Sequence, residues 1–307
     1  MSIVFFGTPS FAVPTLKALL SSGEKVSLVI TQPDKTQGRG KKVIFSPVKE
    51  IALSEGLQVL QPERLRDKGL MRLLSTYSPD FIVTVAYGKI LPKEMLEIAK
   101  YGAINVHASL LPLYRGSAPI QWALINGDNV TGITTMMMDA GLDTGDILLR
   151  EETSISDNDN AETLTTRLSS IGAELLINTI KGIKENSIIP VPQGDGATYA
   201  PPIKREDGII NWQKSARDIF NLVRGLFMWP NAYSYLKGQM IKFYKVKALK
   251  GSGTAGRIED IVKGNLIVGT GEGLLEIEEL QAEGKKRMSC RDFLSGRRVS
   301  VKDDYFS

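Results

Sequence analysis

Asn105 and His107 are the residues of this chain best suited to chemistry. His107 is the only histidine among 307 residues, and it lies within Gly102–Gly116, read as GAINVHASLLPLYRG. Ala103–Val106 is short, apolar and partly β-branched, which suits a buried strand. Residues two apart on a strand share a face, so Asn105 and His107 project together while Val106 faces the other layer. An imidazole donates or accepts a proton near neutral pH, and a carboxamide donates an N–H without any change of charge. Side by side at a strand's C-terminal end, they stand where open α/β sheets put chemistry. The same pair also fits a plainer role, a buried histidine bonded to a neighbouring carbonyl with Asn105 serving a turn.

The elements around this stretch read as an open α/β fold. Strands are expected at 2–6, 26–30, 57–60, 81–85, 103–106, 131–138 and 147–150. Helices are expected at 11–20, 49–55, 67–76, 118–125 and 161–184. A strand–turn–helix–strand start of this kind belongs to doubly wound, mostly parallel sheets, whose chemistry sits at the C-terminal ends of the strands. Neither G-x-G-x-x-G nor G-x-x-x-x-G-K-[ST] is present, which removes the dinucleotide and P-loop fingerprints. Residues 31–47 read as one long loop with Arg39, Lys41 and Lys42 set among glycines, a basic finger able to reach phosphates.

Residues 190–206 hold four prolines and read as a linker, so the expected domains are 1–189, the linker, and 207–307. Beyond a helix at 216–227, short alternating runs separated by turns suggest a small OB-like β-barrel. GTGEG at 269–273 reads as a hairpin turn within it. Charge divides along the same line. Residues 204–307 carry 19 Lys and Arg against 13 Asp and Glu, whereas residues 1–203 carry 19 against 21. A basic second domain beside a near-neutral first one points to a polyanionic partner. The single cysteine, Cys290, excludes an intramolecular disulfide and, with one histidine, any Cys/His zinc cluster; no metal is expected. No apolar run approaches the roughly 20 residues of a membrane span, and the N-terminus reads as a first strand, so the expected address is the cytoplasm.

With these motifs in place, the chain resembles the folate-dependent formyltransferases. The resemblance rests on Asn105-Val106-His107, on Ser109-Leu110-Leu111-Pro112-Leu113-Tyr114-Arg115-Gly116, and on Asp143 within Met138–Asp146. Gln32-Pro33-Asp34 with Gly38–Lys42, and Gly284–Met288, resemble the branch of that family directed to methionyl-tRNA. Ala108 and the Ala282-Glu283 pair depart from the common pattern, outside the catalytic trio.

What the resemblance implies is transfer of the formyl group of 10-formyltetrahydrofolate to the α-amino group of methionine on initiator tRNA; a monomer is expected, because nothing in the sequence demands a partner chain. It implies Asn105 and His107 as donors to the formyl oxygen, with Asp143 orienting His107 and helping to move the amine proton. It implies Ser109, Leu110, Leu111 and Pro112 against the folate. Arg39, Lys41, Lys42, Lys285, Lys286 and Arg287 are the expected RNA contacts. The alternative is a formyltransferase of the same chemistry acting on a small amine, a ribonucleotide or an amino sugar.

Overall fold

The computed structural model describes residues 1–37, 42–296 and 299–307. They form two compact units. The first comprises Met1–Pro119, Val130–Ser154 and Thr165–Pro201; the second comprises Ile120–Asn129, Ile155–Leu164 and Pro202–Ser307.

In chain order the elements up to the second proline cluster are β1 (Ser2–Gly7), α1 (Val13–Ser21), β2 (Lys25–Ile30), β3 (Lys35–Gln37), β4 (Lys42–Ile44), α2 (Pro47–Ser54), β5 (Val59–Leu60), α3 (Lys68–Thr76), β6 (Phe81–Val85), α4 (Lys93–Leu96), β7 (Ala103–His107), β8 (Arg115–Gly116), α5 (Pro119–Asn126), β9 (Val130–Met137), β10 (Ile147–Ser154), α6 (Ala161–Lys184) and β11 (Tyr199–Ala200). Seven strands make one sheet in the order β10-β9-β7-β6-β1-β2-β5. The five from β5 to β7 are parallel, while β9 and β10 run antiparallel at one edge. Strands covered on both faces read as continuous apolar runs. Phe81–Val85 accordingly is buried at every position. Pro14 stands in the first turn of α1, where its missing N–H leaves no partner unmet.

Three features differ from the sequence reading. The stretch 31–47 is not wholly loop, because β3 and β4 pair as a short antiparallel hairpin of three residue pairs. Its alternation is too brief to register as strand. The four-residue α4 was not legible either, being shorter than any helical repeat. Finally, the proline-rich stretch packs back. Val191 bridges Ile147, and β11 lies parallel to β8, with Ser117 N–H also bonded to Ala200 O at 3.0 Å. Residues up to Pro201 therefore belong to the first unit.

The second unit adds α7 (Ala216–Gly225), β12 (Ala232–Leu236), β13 (Gln239–Leu249), β14 (Ile258–Val262), β15 (Asn265–Gly269), β16 (Leu274–Ala282), β17 (Met288–Ser289) and α8 (Cys290–Ser295). Its antiparallel sheet runs β12-β13-β16-β15-β14, with β17 on β16. GTGEG makes the β15–β16 hairpin turn. The two outer strands both meet residues 304–307: Tyr235 exchanges two backbone bonds with Ser307, and Gly256 and Ile258 bond Phe306 and Asp304. Trp212, Phe243 and Phe306 pack together in its core. Cys290 is fully buried and accepts from Leu266 N–H at 3.3 Å; burial pushes its thiol up to about 11, so it is an inert packing residue.

Candidate active site

Strand β7 ends at His107, and its last residues are the ones the sequence marks. Asp143 reaches them from the loop between β9 and β10. Asn105 Nδ2 lies 3.4 Å from Asp143 Oδ1, and His107 Nδ1 lies 3.6 Å from Asp143 Oδ2. The trio therefore meets at one strand end, within the first unit. His107 is 5% exposed and the Asp143 side chain 14%, so water screens their interaction only weakly.

The other imidazole nitrogen is engaged as well. His107 Nε2 lies 3.0 Å from Tyr114 O. A carbonyl only accepts, so Nε2 carries the proton in that contact. At 3.6 Å the Nδ1 contact is longer than a hydrogen bond. The histidine is thus both bonded to a neighbouring carbonyl and set beside Asn105 and Asp143.

Asp143 is held in place by backbone rather than by cations. Its Oδ2 accepts from Gly116 N–H at 2.8 Å. Its own carbonyl, with that of Gly145, accepts from the Gln193 side-chain amide at 2.9 and 2.8 Å. Arg115 in turn donates to Gln193 Oε1 at 3.1 and 2.7 Å. Asp143 has φ +53°, a left-handed conformation that a non-glycine residue keeps only where its surroundings impose it. Gly116 has φ +122°, and a Cβ there would stand 2.6 Å from Ala200 O, so only glycine fits. The sequence reading missed Gln193 and Thr198, whose hydroxyl accepts from Tyr114 N–H at 2.8 Å. Gly116 was the one available signal that the chain is closely approached here.

Ser109–Pro112 forms the turn beyond β7. Ser109 is fully buried; its hydroxyl donates to Leu113 O at 2.5 Å, and its carbonyl accepts from Thr134 Oγ1 at 2.7 Å. Leu111 is buried too, with its N–H on Thr134 Oγ1 at 3.1 Å. Leu110 and Pro112 keep part of their surface. One strand over, Thr84 pairs with Asn105 across the β6–β7 ladder. Its hydroxyl is buried and has no hydrogen-bond partner. An unpaired buried hydroxyl costs free energy that a polar ligand atom would recover.

The basic candidates lie elsewhere or fall outside the described residues. Arg39 and Lys41 lie outside them, and Lys42 is described only as backbone of β4. Lys285, Lys286 and Arg287 are exposed between β16 and β17. Arg287 Nε donates to Glu279 at 2.6 Å, and its guanidinium lies 4.8 Å from the Tyr244 ring centre and 5.4 Å from that of Phe227. It lines a groove of about 500 Å³ within the second unit, together with Arg217, Arg224, Phe220 and Lys247. Arg224 is 6% exposed. Burial first, then Arg217, hold its pKa below the usual arginine value. A cation desolvated and repelled in this way is one that an anionic ligand would stabilise.

Among the described residues, no group of three or more His, Cys, Asp or Glu side chains is placed to hold a metal ion. No helix among them is long and apolar enough to cross a membrane.

Comparison with known proteins matches both parts of the chain. Residues 1–180 match the family described as formyl transferase, and residues 202–298 match the formyl transferase C-terminal domain. The methionyl-tRNA formyltransferase of Thermodesulfovibrio yellowstonii is 56% identical over 305 residues, covering 99% of each chain. Among solved structures, HypX from Aquifex aeolicus in complex with tetrahydrofolic acid superposes with a TM-score of 0.66 at 15% identity, covering 99% of this chain and 50% of that one. An N-formyltransferase from Helicobacter canadensis, complexed with folinic acid and dTDP-3-aminofucose, gives 0.66 at 20% identity over 90% of this chain and 98% of that one. At such identities these two structures share the fold.

Proposed function

The chain belongs to the formyl transferase family, and we propose that it moves the formyl group of 10-formyltetrahydrofolate onto the α-amino group of methionyl-initiator-tRNA. The observation that carries this reading is the convergence of Asn105, His107 and Asp143 at the end of β7. The relative from Thermodesulfovibrio yellowstonii, matched end to end, supplies the tRNA substrate by its name. The enzyme acts as a cytoplasmic monomer in translation initiation. The first unit, through Pro201, carries catalysis, and the second unit takes the RNA.

The donor fits the residues present. A formamide-like carbonyl oxygen needs N–H donors, and Asn105 offers a half-buried amide. Thr84 Oγ1, buried and unpartnered in register beside it, offers a polar partner for the donor. Leu110 and Pro112 give apolar surface for a flat heterocycle. Ser109 and Leu111 shape that surface from behind through Thr134.

In the reaction, a neutral amine nitrogen forms a bond to the formyl carbon, and the bond from that carbon to N10 of the folate breaks. Asn105 Nδ2 donates to the oxygen as its charge develops. His107 supplies the second donor to the same oxygen. Asp143, held by Gly116 N–H, orients His107 and takes the proton that the amine loses, and that proton passes on to N10 as it leaves. The cations of the second unit, Lys285, Lys286 and Arg287, and Arg39, Lys41 and Lys42 on the basic loop, bind RNA phosphates, which position the substrate without reading sequence.

The test is formyl transfer from 10-formyltetrahydrofolate to methionyl-initiator-tRNA by the wild-type protein and by Asn105→Ala. Transfer by the first, with turnover lowered about 100- to 1,000-fold in the second, is the expected result. Transfer only to a nucleotide-linked amino sugar or a ribonucleotide amine would keep the trio and remove the RNA reading. No transfer to any amine would overturn the enzyme assignment.

A further inference from the structure

The returning side of the β3–β4 hairpin presents its apolar residues to solvent. Val43, Ile44 and Phe45 are 52%, 44% and 41% exposed, so the returning strand buries little apolar surface. A ladder of three residue pairs does not hold itself in water. Its direction must therefore come from its two feet, Gln32–Asp34 on the way out and Phe45–Ser46 on the way back.

Both feet meet at one ammonium group. Lys49 Nζ donates to Asp34 Oδ2 at 2.5 Å and to Gln61 Oε1 at 2.7 Å, and it stands 4.0 Å over the Phe45 ring. Gln61 Nε2 donates back to Asp34 Oδ1 and to Gln32 O, each at 2.8 Å. Ser46 Oγ, which caps α2, accepts from Lys49 N–H at 3.2 Å. The cluster then reaches the site's own neighbourhood, because Gln32 Nε2 donates to Tyr87 O at 2.7 Å, just beyond the end of β6.

The chemistry of this cluster differs from that of a surface ion pair. The Lys49 and Asp34 side chains are only 13% and 22% exposed, and every polar atom named has a partner. Hydrogen bonds to Lys49 and then to Gln61 hold the Asp34 carboxyl below its usual range. Apolar residues would pack α2 and β5 equally well. What an ammonium adds is a fixed point joining two chain segments that run in opposite directions.

We propose that Lys49 is a positioning residue that fixes the two feet of the β3–β4 hairpin for use of the large amine substrate. The part concerning that substrate rests on the RNA reading given above.

The experiment compares Lys49→Met, which keeps the stem over Phe45 and removes the charge, with Lys49→Arg, which keeps a donating cation. Amide hydrogen exchange over 32–46 is followed alongside steady-state formyl transfer, with thermal melting to verify folding. In Lys49→Met, faster exchange confined to 32–46 is expected, with KM for methionyl-tRNA raised about tenfold at unchanged kcat and unchanged KM for the formyl donor. Lys49→Arg is expected to restore most of both. Unchanged exchange in Lys49→Met overturns the proposal, as does faster exchange with an unaltered KM for methionyl-tRNA, or a fall in kcat with no change in KM. If the wild-type protein does not use methionyl-tRNA at all, the RNA reading fails, while the exchange result still decides the anchoring role. Should Lys49→Met fail to fold, Gln61→Leu, which removes the bridge to Gln32 and Asp34, is read by the same two measurements.

Discussion

The end of β7 and the groove of the second unit are both polar, but they are built by opposite rules. At β7 the polar groups are few and buried, and they are fixed by backbone: Asp143 by Gly116 N–H, His107 by Tyr114 O, the Asp143 carbonyl by Gln193. In the groove the charges are many and mostly at the surface, and they pair with carboxylates on flexible stems, as Arg217 does with Asp157 and Arg287 with Glu279. A reacting carbon requires donors placed to a fraction of an ångström. A phosphate chain requires potential, which survives small displacements of any one lysine or arginine. The contrast separates turnover from affinity, and it predicts which kinetic constant each region controls.

Removing Asp143 breaks the first region at its hub. Asp143→Ala leaves Gly116 N–H and the Asn105 amide without their acceptor, and kcat is expected to fall about 100- to 1,000-fold with KM for the RNA unchanged. Single-turnover formyl transfer measures it, and a loss carried by KM instead would erase the distinction between the regions. In the groove, Arg287→Glu is expected to raise KM for the charged tRNA about tenfold, to leave kcat near wild type, and to flatten the salt dependence of binding by about one unit of slope. A titration across ionic strength reads both, and a change in kcat alone would assign Arg287 to the chemistry.

The smallest effect sharpens the contrast through stability. Glu259 is buried, which alone would raise its pKa. Bonds from Arg257, Lys302 and Thr254 N–H outweigh that and bring it to about 2. A carboxyl depressed on folding stabilises the native state above its unfolded value near 4.3, and that contribution fades as pH falls toward 2. Melting followed from pH 5 to pH 2 should show an acid-sensitive limb that Glu259→Gln flattens. An unchanged limb would place the acid sensitivity elsewhere.

What the sequence disclosed follows from the same physics. Phe81–Val85 and Ala161–Lys184 were read to their exact ends, since long or uniformly buried segments carry a strong hydrophobic period. His107 stood out as the chain's single histidine, with Asn105 two residues before it on a strand. The braces did not. Gln193 and Thr198 act from a proline-rich stretch whose composition says linker, and their partners are backbone atoms that any residue supplies. The groove was equally hidden, because α7, β13 and the β16–β17 turn bring Arg217, Tyr244 and Arg287 together from points far apart in the chain. Arg287 alone had been picked out, and by family likeness rather than by pattern.

The division of the chain has a consequence for how its parts can be inherited. The second unit borrows Ile120–Asn129 and Ile155–Leu164 from between the strands of the first. Arg224 bonds Ser156 O at 2.9 Å, and Arg217 pairs with Asp157, so the borrowed segment 155–164 lines the groove itself. No single cut yields both units intact. A gene fusion that grafted residues 202–307 onto another enzyme would carry the antiparallel sheet but leave part of the groove wall behind. Recombination that respects this architecture must exchange three segments at once or take the whole chain, so the two units are expected to travel together as one heritable piece.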